Sequence, residues 1–300
     1  MTPSAGPPQH ATIGRAAPWD GRGRGGTAGL LAALFVAAPV AIGALYSLAA
    51  ALGLLGAGAT GFTLDAFGRV LSSGATWRGV AWTIATAGAG TVIAAAAACA
   101  VALRLHATRA GQTLAALPLA VPHVAAALAA LLMFGQSGLL SRLSLAAGLT
   151  AGPSEFPPLV YDAAGVSLVL AFAWKEMPYL TLTAAAVLAS EGAPLAEVAR
   201  TLGASPRQAF WRVTWPRLWR GLAPAVLAAF AYLVGQYEMP ALLAPSDPVP
   251  LSLLTYERSI DPMLARRAEA HVLALLALAL STAVVLLHAA WVARQHRVPA

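Results

Sequence analysis

The sequence Glu-Met-Pro occurs twice, at positions 176–178 and 238–240, each time inside a long apolar stretch. Lys175, the only lysine of the chain, precedes the first copy. Ionisable side chains are costly within a membrane and typically mark ion or solute pathways or buried pairs. Glu176 and Glu238 could bind a cationic solute, whereas an ion pair between Lys175 and one of them would only fix helix packing or a gate. The sequence leaves both interpretations open.

The residues beside the two prolines are further candidates. A proline has no N–H, so the backbone carbonyls of Trp174 and Gln236 are each expected to lose a hydrogen-bond donor. Trp174 and Tyr237 could stack on a solute, although aromatic residues at helix contacts more often serve packing. His123 has no second histidine at ligand spacing, so we expect no metal site. The predicted pathway residues are Lys175, Glu176, Gln236, Glu238, Trp174 and Tyr237.

The elements that position these side chains are long and apolar. Of the 300 residues, 59% are hydrophobic and 10% are charged, against about 25% charged residues in soluble domains. Four runs without Asp, Glu, Lys or Arg each exceed the ~20 residues of a membrane-spanning helix. They lie between residues 24 and 65, 78 and 104, 109 and 142, and 269 and 294. Two further apolar stretches, about 163–188 and 218–243, complete six predicted transmembrane helices.

A soluble helical protein would show apolar stripes of period 3.6, whereas these segments are apolar all round. Placing both termini in the cytoplasm assigns twelve arginines to the cytoplasmic side and six to the opposite side, in agreement with the positive-inside rule. The net charge of +7 therefore reflects topology and contact with membrane lipid, and no nucleic-acid partner is expected. We predict a disordered cytoplasmic tail over 1–26, a six-helix transmembrane domain over 27–294 and a short cytoplasmic tail over 295–300.

The loop over 190–220, between the fourth and fifth spans, has strong local helix signals. The apolar residues of its first part fall on one helix face: Leu195, Val198, Ala199 and Leu202. Gly203 is suited to a left-handed cap that ends this helix. Ser205 and Pro206 then suit the N-cap and first position of a second helix. Such a loop is too polar to span and too apolar for water, so it must dock beneath the bundle or on another protein.

The loop resembles the Glu-Ala-Ala motif of permease subunits of type I binding-protein-dependent ABC importers. That motif reads Glu-Ala-Ala, three residues, Gly, nine residues, an aliphatic residue, any residue, Leu and Pro. The matching positions are Glu197, Ala199, Gly203, Val213 and Pro216. Val198, Val213 and Trp215 are apolar replacements of the usual residues, and the spacing is intact. The resemblance covers about residues 27–294.

This resemblance implies the all-α transmembrane domain of a type I ABC importer in a prokaryotic inner membrane. The helix over 194–203 would be the coupling helix, seated in a groove of a cytoplasmic ATPase dimer, with Glu197 meeting a basic residue. Further implied partners are a substrate-binding protein and a second permease subunit, with a heterodimer favoured over a homodimer. The phrases AWKEMPYL (173–180) and VGQYEMPALL (234–243) look most like permeases for polyamines, thiamine or ferric iron.

No enzymatic activity is expected in this chain. Lys175 does not belong to a Gly-Lys-Ser/Thr phosphate loop, so ATP and Mg²⁺ would be bound by the separate ATPase, and the chain itself needs no cofactor. An intramembrane enzyme is disfavoured because the spans contain no evident nucleophile–base pair or paired metal-binding carboxylates. The alternative function is a secondary transporter driven by an ion gradient, with Glu176 or Glu238 as the ion site.

Overall fold

The computed structural model describes residues 25–56, 58–59, 61–105 and 109–295. Within these ranges every regular element is helical. The predicted tails, 1–26 and 295–300, lie almost wholly outside the described residues. The α-helices are α1 Gly25–Ala51, α2 Asp65–Ser72, α3 Gly74–Leu105, α4 Arg109–Ala116, α5 His123–Phe134, α6 Leu139–Ala146, α7 Val166–Val187, α8 Ala193–Thr201, α9 Pro206–Ala209, α10 Trp215–Val234, α11 Glu238–Leu243, α12 Leu251–Ser259 and α13 Leu264–Gln295. Short 3₁₀ turns form at Leu117–Ala120 and Pro153–Glu155, and π turns at Leu188–Gly192 and Phe210–Thr214.

Five helical stretches of the described chain are long and apolar enough to cross a membrane. They are Gly29–Ala51, Gly74–Arg104, His123–Ala146, Pro206–Val234 and Leu264–Ala290. A sixth is reached when Val166–Ser190 and Leu195–Thr201, which meet at a 47° bend, count as one span. The bend separates the predicted fourth span from the predicted coupling helix. The predicted all-α membrane fold is confirmed.

The chain divides into a unit that ends at Leu45 and a unit over Tyr46–Ala300. The described part of the first unit is a single apolar stretch of α1 that begins at Gly25. In the second unit, α3 and α7 pack along each other, and α10 packs against both.

Small residues allow this close packing, as is common between membrane helices. A Cβ on Gly90 of α3 would lie 2.8 Å from Phe172 Cβ on α7. A Cβ on Gly221 of α10 would lie 2.7 Å from Val187 Cγ2 on α7. A larger residue at either glycine would therefore push α7 away. Alanines fill most of the remaining contact surface of α3: Ala87, Ala94, Ala95, Ala98 and Ala102.

Prolines break two of the spans. The predicted fifth span over 218–243 is wrong in its bounds, because the helix begins before 218 and ends at Val234. Pro240 cannot donate to the carbonyl of Gln236 and its ring crowds that position, so residues 235–237 are not helical and α11 starts anew. The predicted third span, over 109–142, is interrupted between α4 and α5, where Pro118 lies within the 3₁₀ turn and Pro122 immediately precedes α5; the candidate span of the structure begins at His123.

Candidate functional site

Helix α8 ends in a tightly hydrogen-bonded left-handed turn. Gly203 has φ +93°, a conformation that glycine adopts without steric cost. The Ala204 N–H donates to the Ala199 carbonyl at 3.0 Å, and the Gly203 N–H donates to the Arg200 carbonyl at 3.0 Å. These two bonds form the Schellman motif. The predicted left-handed cap at Gly203 is confirmed.

A capping box starts the next helix immediately after this turn. The Gln208 N–H donates to Ser205 Oγ at 3.3 Å, and the Ser205 N–H donates to Gln208 Oε1 at 2.9 Å. Pro206 occupies the first turn of α9, where its missing N–H leaves no bond unmade. The turn is therefore fixed on both sides, so α8 and α9 move together. The predicted N-cap at Ser205 is confirmed.

The apolar stripe of α8 is uncovered in the chain. Leu195 is 38% exposed, Val198 is 53% exposed and Leu202 is 83% exposed. Glu197 is also exposed, whereas Ala199 is half-buried. Docking of the stripe beneath the bundle, one of the two expectations, is therefore wrong for its three large residues.

The five motif residues separate into two groups. Ala199, Val213 and Pro216 are half-buried where α8 packs against the π turn over 210–214, which leads into α10. Glu197 and Gly203 are exposed. The first group holds the loop on the bundle, and the second lies on the open side.

Lys175 lies in α7 and is only 6% exposed. Its Nζ donates to the backbone carbonyls of Pro118 at 3.1 Å and Leu119 at 3.4 Å. Pro122 has no N–H to offer the Pro118 carbonyl, which accepts instead from the Val121 N–H at 3.2 Å and from the Lys175 ammonium group. In the described chain Lys175 forms no ion pair with a carboxylate. The expected ion pair between Lys175 and a glutamate is thus not formed among the described residues, where Lys175 donates to backbone carbonyls instead.

The carboxylates of the two glutamates form no ion pair within the described residues. Glu176 is 8% exposed, so its carboxylate is buried. Glu238 is exposed at the start of α11, and its backbone N–H donates to the Gln236 side chain at 3.2 Å.

The side chain and the backbone carbonyl of Gln236 make four hydrogen bonds at the break between α10 and α11. Its Nε2 donates to Tyr232 Oη at 3.2 Å, and its Oε1 accepts the N–H groups of Tyr237 at 2.8 Å and Glu238 at 3.2 Å. Its backbone carbonyl accepts Ser252 Oγ–H at 2.7 Å. The predicted loss of a helical donor at this carbonyl is confirmed, and Ser252 replaces it. Gln236 thus caps α11 and links α10 to α12.

The hydrogen-bonded chain continues to α5. Tyr232 Oη lies 3.1 Å from His123 Nε2, and the charges of Lys175 and Glu238 both act on the His123 ring. Tyr232 and Ser252 were not among the predicted site residues. The position of His123 after Pro122 is compatible with facing the pathway, but His123 was not predicted as a site residue either. The i, i+4 spacing of Tyr232 and Gln236 was the available signal.

The two aromatic candidates, Trp174 and Tyr237, differ in their exposure and packing. Trp174 is 43% exposed on α7. The half-buried Tyr237 ring packs on Tyr256, with ring centroids 4.9 Å apart. The structure thus joins Gln236 to Tyr232 and to the start of α11, and it commits the Tyr237 ring to a packing contact.

A family model described as "Binding-protein-dependent transport system inner membrane component" matches residues 107–297. This range covers the break between α4 and α5, the loop with α8, and the last helix. It also covers the hydrogen-bonded group of His123, Tyr232, Gln236 and Ser252, which we call the polar layer. The chain belongs to this family of membrane permeases.

Curated relatives agree with this family. The molybdenum transport system permease protein ModB of Mycobacterium tuberculosis is 36% identical over 121 residues, 40% of this chain and 42% of ModB. The inner membrane ABC transporter permease protein YnjC of Escherichia coli is 34% identical over 141 residues, 46% of this chain and 25% of YnjC. The sulfate transport system permease protein CysW of Synechocystis is 28% identical over 130 residues, 43% of this chain and 44% of CysW. The alignments span less than half the length of these relatives.

A solved structure shares the fold. The crystal structure of a bacterial alginate ABC transporter, in complex with an alginate-bound periplasmic protein, contains a chain that matches with a TM-score of 0.67. The match covers 87% of this chain and 91% of that chain, at 18% sequence identity. At this identity the likeness shows the fold alone.

The similarity of two phrases to polyamine, thiamine and ferric-iron permeases does not define the group. ModB, CysW and the solved structure are named for molybdenum, sulfate and alginate transport. AWKEMPYL contains Lys175, which donates to a carbonyl at the break before α5, and VGQYEMPALL contains Gln236, which bonds Tyr232 at the break after α10. Both phrases therefore contain residues that fix helix geometry.

Proposed function

We propose that this chain is the membrane-spanning permease subunit of an ATP-driven, binding-protein-dependent importer, coupled to its ATPase through α8. The observation that carries the proposal is the exposed apolar stripe of Leu195, Val198 and Leu202 on a helix whose end is fixed by hydrogen bonds. Burying exposed apolar side chains is the main favourable term in association. A rigid helix that presents such a stripe is suited to transmit force from a docked partner.

The assembly would contain one further permease subunit and a pair of ATPase subunits. One α8 per chain requires two permease chains to engage two ATPase domains, and we propose a heterodimer. ATP and Mg²⁺ would bind the ATPase pair, since the only lysine, Lys175, caps backbone carbonyls within the bundle. A binding protein would deliver the solute on the opposite side, and both termini would lie in the cytoplasm.

The geometry suggests how a movement of α8 caused by ATP binding is transmitted to the polar layer. Helix α8 packs on the π turn over 210–214, which continues directly into α10. With 20 residues, α10 is about 30 Å long. Tyr232 lies near its far end and Gln236 just beyond it. A displacement of α8 would therefore tilt α10 and move Tyr232 and Gln236 at the break, which would open the pathway alternately to either side.

We propose an anionic solute. Two of the matched proteins are named for transport of sulfate and of alginate, and both of these solutes are anions. Tyr232 Oη and His123 Nε2 share one hydrogen bond, so this pair has one further donor to offer a solute: the Tyr232 O–H or the His123 Nδ1–H, according to the tautomer. Glu176 and Glu238 would then line a gate, because a carboxylate repels an anion. Uptake of radiolabelled molybdate and sulfate by proteoliposomes, compared with the cation putrescine, tests the solute class. ATP-dependent uptake of putrescine alone would refute an anionic solute.

The coupling assignment is tested by replacing Glu197 with lysine. The tagged permease is purified from mild detergent, and co-purifying proteins are identified by mass spectrometry. Glu257→Lys is the matched control, since Glu257 is also exposed and has no ion pair in the described chain. An ATPase with a phosphate loop should co-purify with wild type and Glu257→Lys and be lost with Glu197→Lys.

Two outcomes would contradict the proposal. Retention of the ATPase by Glu197→Lys would show that α8 is not the docking element. Transport without any ATPase, abolished by an ionophore, would establish the secondary transporter, an alternative that the family match does not favour.

A further inference from the structure

Four arginines follow α8 without any acidic neighbour. They are Arg207, Arg212, Arg217 and Arg220, and all four are exposed. The sequence contains no Asp or Glu between Glu197 and Glu238. None of the four guanidinium groups makes an ion pair or a side-chain hydrogen bond within the described ranges. Four positive charges are thus left without a counter-charge in this part of the chain.

The arginines predicted on the opposite side of the membrane behave differently, because each has a partner in the chain. Four of them pair with carboxylates: Arg69 and Arg258 with Glu269, Arg78 with Asp247, and Arg266 with Asp261. The other two donate to backbone carbonyls: Arg142 to Ser137 and Arg267 to Asp261. Arg104 and Arg200, both exposed, likewise make no ion pair in the described part of the chain. What distinguishes 207–220 is that four such arginines lie within 14 residues, so this segment is a concentrated positive surface open to a partner outside the chain.

Three tryptophans lie on the same segment in contact with one another. The ring centroids of Trp211 and Trp215 are 5.9 Å apart, and those of Trp215 and Trp219 are 6.4 Å apart in a stacked arrangement. Trp211 is 55% exposed and Trp219 is 41% exposed. Tryptophan is enriched at the depth of the lipid headgroups, where its ring meets acyl chains and its N–H meets water. The row of indoles therefore marks the level at which this helix enters the membrane.

The helix presents its charges away from the protein. Leu218 and Leu222 are buried in the bundle at 1% and 0% exposure. Arg217 and Arg220 are exposed and lie away from these leucines on the helix, at 100° per residue. The segment is the first half of the candidate span Pro206–Val234. The arginines thus surround the point where this span leaves the aqueous phase.

We propose that residues 207–220 form a binding surface for the headgroups of anionic phospholipids. A guanidinium group donates two parallel hydrogen bonds to phosphate, and the neighbouring indoles pack along the acyl-chain boundary. The lipids belong to the cytoplasmic leaflet, which rests on the orientation given by the proposed function. The surface is separate from the stripe of α8, so lipid on one and ATPase on the other could be bound at the same time. Bound lipid would anchor the base of α10, the helix that transmits the movement of α8.

The test measures lipid preference with the full chain reconstituted in nanodiscs. The discs contain phosphatidylcholine with a minor fraction of either brominated phosphatidylglycerol or brominated phosphatidylcholine. Bromine quenches only nearby tryptophans, and the Trp211→Phe/Trp219→Phe variant shows how much of the signal comes from the row of indoles. Arg217→Gln/Arg220→Gln removes two charges. Arg78→Gln/Arg142→Gln is the matched control, and Arg217→Lys/Arg220→Lys keeps the charge.

Wild type should be quenched more strongly by brominated phosphatidylglycerol than by brominated phosphatidylcholine. Each arginine near a charged membrane surface contributes about fivefold to binding, so the double glutamine variant should lose about 30-fold in preference. The Arg78/Arg142 control should keep the full preference, and the lysine variant most of it. All variants should elute as single monodisperse species, because the substituted side chains are exposed.

Equal quenching of wild type by the two brominated lipids would overturn the proposal, as would an equal loss in the Arg78/Arg142 control. Loss of the co-purifying ATPase from Arg217→Gln/Arg220→Gln with unchanged lipid preference would assign the surface to the ATPase instead. Failure of the importer proposal would be recognised separately, since no ATPase would then depend on Glu197 while the lipid preference could persist.

Discussion

Substitution of Leu202 by alanine measures how much of the ATPase docking energy the stripe of α8 provides. Leu202 is 83% exposed in the chain, so nearly the whole side chain is available for burial in a partner. Full burial of a leucine side chain contributes about 1.5–3 kcal/mol. Alanine keeps the Cβ, which leaves a loss of about 1–2 kcal/mol, or about 5- to 30-fold in the dissociation constant.

The matched control is Leu149→Ala. Leu149 is 79% exposed and follows α6, distant in sequence from α8. Both substitutions remove the same atoms from a solvent-exposed position, so neither should change the unfolding temperature of the permease appreciably. Only Leu202→Ala should weaken docking.

The assay is equilibrium binding of the purified ATPase subunit that co-purifies with the wild-type permease, measured on permease held in nanodiscs. We expect wild type and Leu149→Ala to bind equally and Leu202→Ala to bind about 5- to 30-fold more weakly. Equal binding of all three would refute the argument that the exposed stripe is the docking surface. A similar loss in both variants would show a general effect on the membrane domain.

Three further predictions follow from the geometry. Gly203→Ala places a side chain at φ +93° with no atom within 4 Å of the added Cβ, so it should destabilise the turn by about 1–2 kcal/mol through the backbone alone. In the same equilibrium assay, Gly203→Asn should weaken ATPase binding less than Gly203→Ala does. Lys175→Met removes two hydrogen bonds to part-buried carbonyls, of which the Pro118 carbonyl keeps the Val121 N–H, and should cost about 0.5–1.5 kcal/mol of stability, seen as a lower unfolding temperature. Glu176→Gln, which breaks no ion pair among the described residues, should leave that temperature unchanged. Gln236→Leu removes three side-chain hydrogen bonds at the break, and it should lower the uptake rate in proteoliposomes while ATPase binding stays at the wild-type level.

The loop around α8 was predictable because its interactions are local. Gly203 accepts a positive φ that other residues resist, and the Ser205–Gln208 capping box joins residues three positions apart. Such bonds depend on residue type and spacing, which the sequence shows directly. The exposure of Leu202 was not predictable, since an apolar stripe looks the same whether the bundle or a partner covers it.

The polar layer was predicted only in part because its bonds join distant positions. The Tyr232–His123 contact joins residues 109 positions apart, and Lys175 reaches carbonyls 56 and 57 positions away. These pairs exist only after α5, α7 and α10 have packed. Gln236 was identified through its neighbour Pro240, which is a local signal, although its three side-chain bonds were not foreseen.

The behaviour of Lys175 and Glu176 follows from their positions on one helix. Adjacent helical residues point about 100° apart, so they do not face each other. The lysine turns toward the break in the third span, where a helix end leaves carbonyls that attract a cation. The carboxylate of Glu176 is buried and forms no ion pair among the described residues. Of the two buried charges, the lysine is therefore part of the scaffold, and we propose that the glutamate responds to a solute in the pathway.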